Sequence, residues 1–132
     1  MLEQLGKDKL EWMYTQTLRI REFEERVKRT FVEHPGAIRG HTHLADGAEA
    51  TIVGALATRH AGDMVMSTYR CHGYPLVLGT SPRKMMAEIY GRKDGLCQVE
   101  LLTRIRLGSY EARYRVEGGE GVFFSAFSSV RL

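Results

Sequence analysis

MVMSTYRCHGYPLVLGTSPRKMMAEIY, residues 64–90, is the stretch whose reading decides the fold. Met64-Val65-Met66 is a short apolar run placed after the turn signal Ala61-Gly62-Asp63 and before a polar segment. That pattern predicts a brief buried strand whose C-terminal end opens onto a loop over Ser67–Gly73. Tyr74–Leu78 then reads as a short helix. Ser81-Pro82 starts another, with serine as the cap and proline at the first helical position. Met85, Met86, Ile89 and Tyr90 supply its inner face, and Gly91 and Gly95 bracket the charged turn Arg92-Lys93-Asp94 where it stops.

Upstream, Leu10, Met13, Thr17, Ile20, Phe23, Val27 and Phe31 recur at steps of three and four, which lines them along one face of a long amphipathic helix. Arg19, Arg21, Glu22, Glu25, Arg26 and Arg29 fall between them and read as a solvated face. Pro35-Gly36 ends the helix. Ala37–Gly47 has no steady period and contains Gly40, His41, His43, Asp46 and Gly47, the composition of an exposed loop that carries chemistry. The next helix is expected to take Asp46 as its N-cap and Glu49 as the capping-box partner, with Ile52, Val53, Leu56 and the alanines packing inward.

Downstream of Cys97 the character changes. All five basic residues of 98–132 are arginine, and the segment has no Lys, His or Pro. Leu101–Leu107, Arg113–Val116 and Val122–Phe127 read as strands, the last two joined as a hairpin around Gly118-Gly119.

The 132 residues suffice for one domain with a core, and 43% hydrophobic against 27% charged residues is the balance of a globular chain. No run approaches the roughly 20 apolar residues of a membrane span. Nineteen Lys and Arg against sixteen Asp and Glu give a formal charge of +3, without the basic stripe interleaved with aromatics that a nucleic-acid binder would show. Cys71 and Cys97 are the two cysteines and form no CxxC pair, so a disulfide framework is not expected and a reducing cytosol fits. Met1–Leu10 carries Glu3 and Asp8 and does not read as a secretory signal or an acid-poor transit peptide. The expected location is therefore cytoplasmic, with no membrane and no nucleic-acid partner.

Within Ser67–Gly73, Tyr69, Arg70 and His72 place a phenolic hydroxyl, a forked cation and a titratable ring in one loop. Arg70 could bridge two phosphate oxygens through parallel hydrogen bonds while Tyr69 adds a neutral donor, so the loop reads as an anion clamp suited to a diphosphate. An Arg–carboxylate pair at the strand end is the competing assignment and has the stronger claim on spacing alone. His43 and His72 could exchange protons near a reacting carbonyl, although a single histidine is more often structural. A metal site from His41, His43, Cys71 and His72 would need long-range convergence that spacing does not encode. Cys71 as a nucleophile has no better support, even with Arg70 and His72 beside it to lower its pKa.

Ordered pieces of the chain resemble a known family. MYTQTLRIREFEERV (13–27), THLADGAEATIVGAL (42–56) and above all STYRCHGYPLVLGTSPRKMMAEIYGRKDGLC (67–97), with YRxHG and the later GR, are similar to the N-terminal part of the alpha subunit of thiamin diphosphate-dependent 2-oxo acid dehydrogenases. These are the first components of the pyruvate, branched-chain and acetoin dehydrogenase complexes. The resemblance implies that Tyr69 and Arg70 contact the cofactor's diphosphate, that His43 lies by the 2-oxo acid and the reactive thiazolium carbon, and that His72 stands nearby in the same pocket. It also implies a beta subunit and a lipoyl acyltransferase as partners, the reaction being oxidative decarboxylation with acyl transfer to lipoyl.

Two departures accompany it. Gly47-Ala48-Glu49-Ala50 stands where the family has Gly-Gln-Glu-Ala, and no GDG motif for the magnesium that accompanies the diphosphate occurs. The expectation is thus a helix-rich N-terminal fragment of an α/β thiamin diphosphate-binding fold, residues 1–97, followed by an atypical, partly β tail over 98–132 from a truncated, fused or out-of-frame end. Metal ligands are expected to be missing and the chain alone to be inactive. A non-catalytic remnant or interaction module is the alternative.

Overall fold

The computed structural model describes residues 5–38, 42–60, 63, 65–96, 112–115 and 121–124. Among them the elements run α1 (Lys7–Glu33), α2 (Glu49–Ala57), β1 (Val65–Ser67), α3 (Gly73–Val77), α4 (Pro82–Ile89), β2 (Ala112–Arg115) and β3 (Gly121–Phe124). The described part is mostly helical. None of its helices is long and apolar enough to cross a membrane.

The α1 helix is the organising element. Ile20, Phe23 and Val27 are buried on it at the expected spacing, and α2 and α3 pack across that stripe. Ile38, Ala45, Ile52, Val53, Leu56, Leu76 and Met85 close the same core. The stripe departs from expectation at its end. Phe31 stays 37% exposed, while Thr30, one position and about 100° away around the helix, is the buried residue and takes a 3.3 Å hydrogen bond from the Tyr90 hydroxyl. Glu24 and Gln16 are also buried on the stripe.

The start of α2 is a second correction. Its N-cap is Ala48, with no side-chain capping bond, because Asp46 and Glu49 are drawn to cations on α1 instead. Gly47 turns with φ of +85°, a conformation in which a side chain would be strained, and this turns Asp46 back toward α1. Lys28 Nζ then lies 2.6 Å from Asp46 Oδ2, Arg21 Nη1 lies 3.3 Å from Asp46 Oδ1, and Arg21 Nε lies 2.7 Å from Glu49 Oε1. Arg21 stays exposed on the solvated face expected of it and pairs from there. Ser81 does precede α4, with Pro82 in its first turn, but its hydroxyl makes no capping bond.

The strap from α1 to the 46–49 turn makes a pH prediction. The Lys28 hydrogen bond, with Arg21 behind it, holds the Asp46 carboxyl below its ordinary 3.8. Burial pushes Glu49 up, but the backbone N–H groups of Glu49 and Gly47 and the Arg21 guanidinium outweigh it and hold that carboxyl below 4.5. Native values below unfolded ones mean the native state binds fewer protons, so the stabilisation is complete above both ordinary values and is lost as the pH falls through the lowered ones. Asp46→Asn should therefore melt earlier than wild type at about pH 7, with the gap closing toward about pH 2. A gap that persists undiminished in acid would show that charge is not its source.

The strand prediction holds in place but not in burial. β1 runs over Val65–Ser67, and Met66 is 79% exposed. It pairs in parallel with β3, Val65 opposite Val122, and β3 pairs antiparallel with β2, Ala112 opposite Phe124, giving the order β1-β3-β2. The two tail strands therefore meet as the antiparallel pair expected of a hairpin. The strand expected over Leu101–Leu107, Cys97 and the Gly118-Gly119 turn lie outside the described residues.

Candidate active site

The loop after α1 and the loop after β1 meet on one side of the core, and each candidate residue except His41, which lies outside the described residues, can be placed there. The His43 ring lies against Tyr69, with centroids 4.4 Å apart at 60°. Arg70 carries its guanidinium carbon 5.7 Å from the Tyr69 centroid and donates from Nη1 to the Leu44 carbonyl at 2.6 Å. His43, Tyr69 and Arg70 therefore form one exposed cluster, although their loops are 26 residues apart. The acceptor for Arg70 is a backbone carbonyl and not the carboxylate that spacing favoured. A guanidinium has five N–H donors, so this single bond leaves further donors of the fork for an anion.

His72 goes inward. Its Nδ1 lies 3.1 Å from both oxygens of Glu24, and its ring meets Phe23 edge-on at 5.8 Å. Glu24 is fully buried and also accepts a 3.0 Å hydrogen bond from the Ala45 N–H. The sequence reading passed over Glu24. The available signal was its position, four residues after Ile20 and three before Val27, which puts a carboxylate on the apolar stripe, where a charge must find partners.

Cys71 sits in the same turn, and burial pushes its thiol up to about 11, with Glu24 adding to the effect. Arg70 and His72 do not lower it as their sequence proximity implied, because Arg70 is turned to Leu44 and His72 to Glu24. A thiol protonated at neutral pH is a poor nucleophile. Among the described residues no group of three His, Cys, Asp or Glu side chains could hold a metal ion.

The family model for the dehydrogenase E1 component matches residues 15–121. The alpha subunit of acetoin:2,6-dichlorophenolindophenol oxidoreductase from Bacillus subtilis (strain 168) is 43% identical over 94 residues, 71% of this chain and 28% of that protein. The alpha subunit of the pyruvate dehydrogenase E1 component from Rhizobium meliloti (strain 1021) is 42% identical over 83 residues, covering 63% and 23%. The mitochondrial type I alpha subunit of the same component from Ascaris suum is 40% identical over 82 residues, covering 62% and 20%. The chain thus spans between a fifth and three tenths of the length of these relatives. Matched by the family model over most of its length, and similar to alpha subunits over 62–71% of it, the chain belongs to the dehydrogenase E1 component family, on the alpha-subunit side.

Proposed function

We propose that this chain contributes the diphosphate-binding half-site of a thiamin diphosphate-dependent dehydrogenase acting on a 2-oxo acid or acetoin. The observation that carries the reading is the exposed cluster of His43, Tyr69 and Arg70, in which the guanidinium is anchored by one bond and keeps donors for an anion. Arg70 would hold the diphosphate through charge-assisted hydrogen bonds, and the Tyr69 hydroxyl would add a neutral donor. His43, braced on the Tyr69 ring, would give or take a proton beside the substrate carbonyl. Thiamin diphosphate, when bound, supplies the carbon nucleophile of the reaction. Among the described residues no group of three His, Cys, Asp or Glu side chains could hold the accompanying magnesium.

The partners on this reading are a beta subunit that completes the pocket and a lipoyl acyltransferase that receives the acyl group. Residues 1–97 carry the family motifs, and 98–132 form a tail of different composition. Calorimetric titration of the chain with thiamin diphosphate and magnesium tests the half-site directly. Saturable binding is expected, weakened about 10- to 100-fold by Arg70→Ala through loss of hydrogen bonds to a charged group. Arg70→Lys should fall between the two, since it keeps the charge and loses the fork. No saturable binding would overturn the reading and favour a non-catalytic interaction module.

A further inference from the structure

One peptide unit links the two halves of this site. Leu44 supplies its carbonyl, held by Arg70 at 2.6 Å, and Ala45 supplies its N–H, held by Glu24 at 3.0 Å. In a trans peptide these two groups point in opposite directions, so a group that fixes the N–H also fixes the aim of the carbonyl. The carboxylate that does so is fully buried and takes His72 Nδ1 at 3.1 Å as its other partner. A carboxylate only accepts hydrogen bonds, so His72 must carry its proton on Nδ1 for the contact to be favourable. The groups the structure places against that ring are Glu24 and Phe23, both from α1.

We propose that Glu24 is a positioning residue of the site: through the 44–45 peptide it sets the carbonyl that anchors Arg70, and by direct contact it fixes His72 with Nδ1 protonated, which leaves Nε2 as the nitrogen that exchanges a proton. The roles of Arg70 and His72 in cofactor and substrate handling rest on the function proposed above. The bonds made by Glu24 do not. An unpaired carboxylate on the core stripe would be strongly destabilising, and both of its partners come from the two loops that bear the cluster. The arrangement therefore couples the burial of one α1 side chain to the placement of residues on two separate loops.

Ring 15N NMR of His72 in the full chain tests this without cofactor. Wild type is expected to show Nδ1 protonated. An Nδ1 without a proton overturns the proposal whether or not any variant folds. In Glu24→Gln, the carboxamide oxygen can keep the Ala45 N–H while its NH2 faces His72, so the ring proton should move to Nε2; a tautomer unchanged by this substitution also overturns the proposal. Glu24→Ala, which leaves the Ala45 N–H without an acceptor, should bind thiamin diphosphate with magnesium more weakly than wild type, and the loss in Glu24→Ala combined with Arg70→Ala should be smaller than the sum of the two single losses, because both act through one peptide. Failure of wild type to bind cofactor while His72 keeps its Nδ1 proton would remove the functional reading and leave the role of Glu24 in ordering the loops intact.

Discussion

Ile20→Ala is expected to lower the free energy of unfolding by about 2–5 kcal/mol, the range for truncating a large aliphatic side chain in a core that cannot collapse around the gap. Ile20 is fully buried at the centre of α1, and its Cδ1 would stand 3.0 Å from a β-carbon built on Gly73, so it forms part of the floor beneath the His72–Gly73 turn. Total stabilities of small domains are only about 5–15 kcal/mol, so a loss of this size shifts the folded population by orders of magnitude. Urea unfolding followed by far-ultraviolet circular dichroism reads the effect as a lowered midpoint at unchanged slope. Leu18→Ala, two positions away on a side chain 45% exposed, should change stability by no more than about 0.5 kcal/mol. Phe31→Ala separates the structure from the simple helical pattern. The pattern puts Phe31 on the same stripe as Ile20, whereas the structure leaves it partly in solvent. Equal losses for Phe31→Ala and Ile20→Ala would refute the described packing of α1.

The contrast between these positions shows which features of the chain are local and which are not. Spacings of three and four residues were enough to find α1 and its inner face, because helical periodicity is written into neighbouring positions. Ser81-Pro82 located α4 for the same reason, as steric preference at a helix start is also local. The loop 42–47 and the turn 67–73 were legible as the places where chemistry would sit, and the motif resemblance paired them. The contacts that join them were not legible. The cluster depends on Arg70 reaching a carbonyl 26 residues earlier, and Glu24 depends on a histidine 48 residues later. Asp46 illustrates the competition directly. Its sequence context suits an N-cap, but two cations on α1 offer a charged alternative that the local pattern does not contain. The parallel partner of β1 lies still further along the chain, at residues 121–124, and no short-range signal could name it.

Gly73→Ala is expected to destabilise the fold by about 1–3 kcal/mol, the cost of overpacking a filled site. The sign of this effect is decided by contacts, since on backbone grounds alone the exchange would favour α3: alanine is the better helix former by roughly 1 kcal/mol. A β-carbon here would meet Ile52 Cδ1 at 2.7 Å, Ile20 Cδ1 at 3.0 Å and Ile52 Cγ2 at 3.2 Å, all of them side-chain methyls belonging to α1 and α2. Those helices are already pressed together, so the methyls can retreat only by changing rotamer or by pushing α3 away, and α3 begins directly after His72. The glycine of the YRxHG motif thus has a packing reason in this fold. It lets the turn that carries Arg70 and His72 sit directly on Ile20 and Ile52. Ile52→Val supplies the internal check, because it deletes the atom in closest conflict. The double variant Gly73→Ala with Ile52→Val should recover part of the lost stability, so that the two changes together cost less than the sum of their separate effects. Only part should return, since Ile20 Cδ1 and Ile52 Cγ2 remain in place. A strictly additive double variant would mean that α3 does not rest on these two isoleucines, and would separate the loss at Gly73 from the core contact that the structure assigns to it.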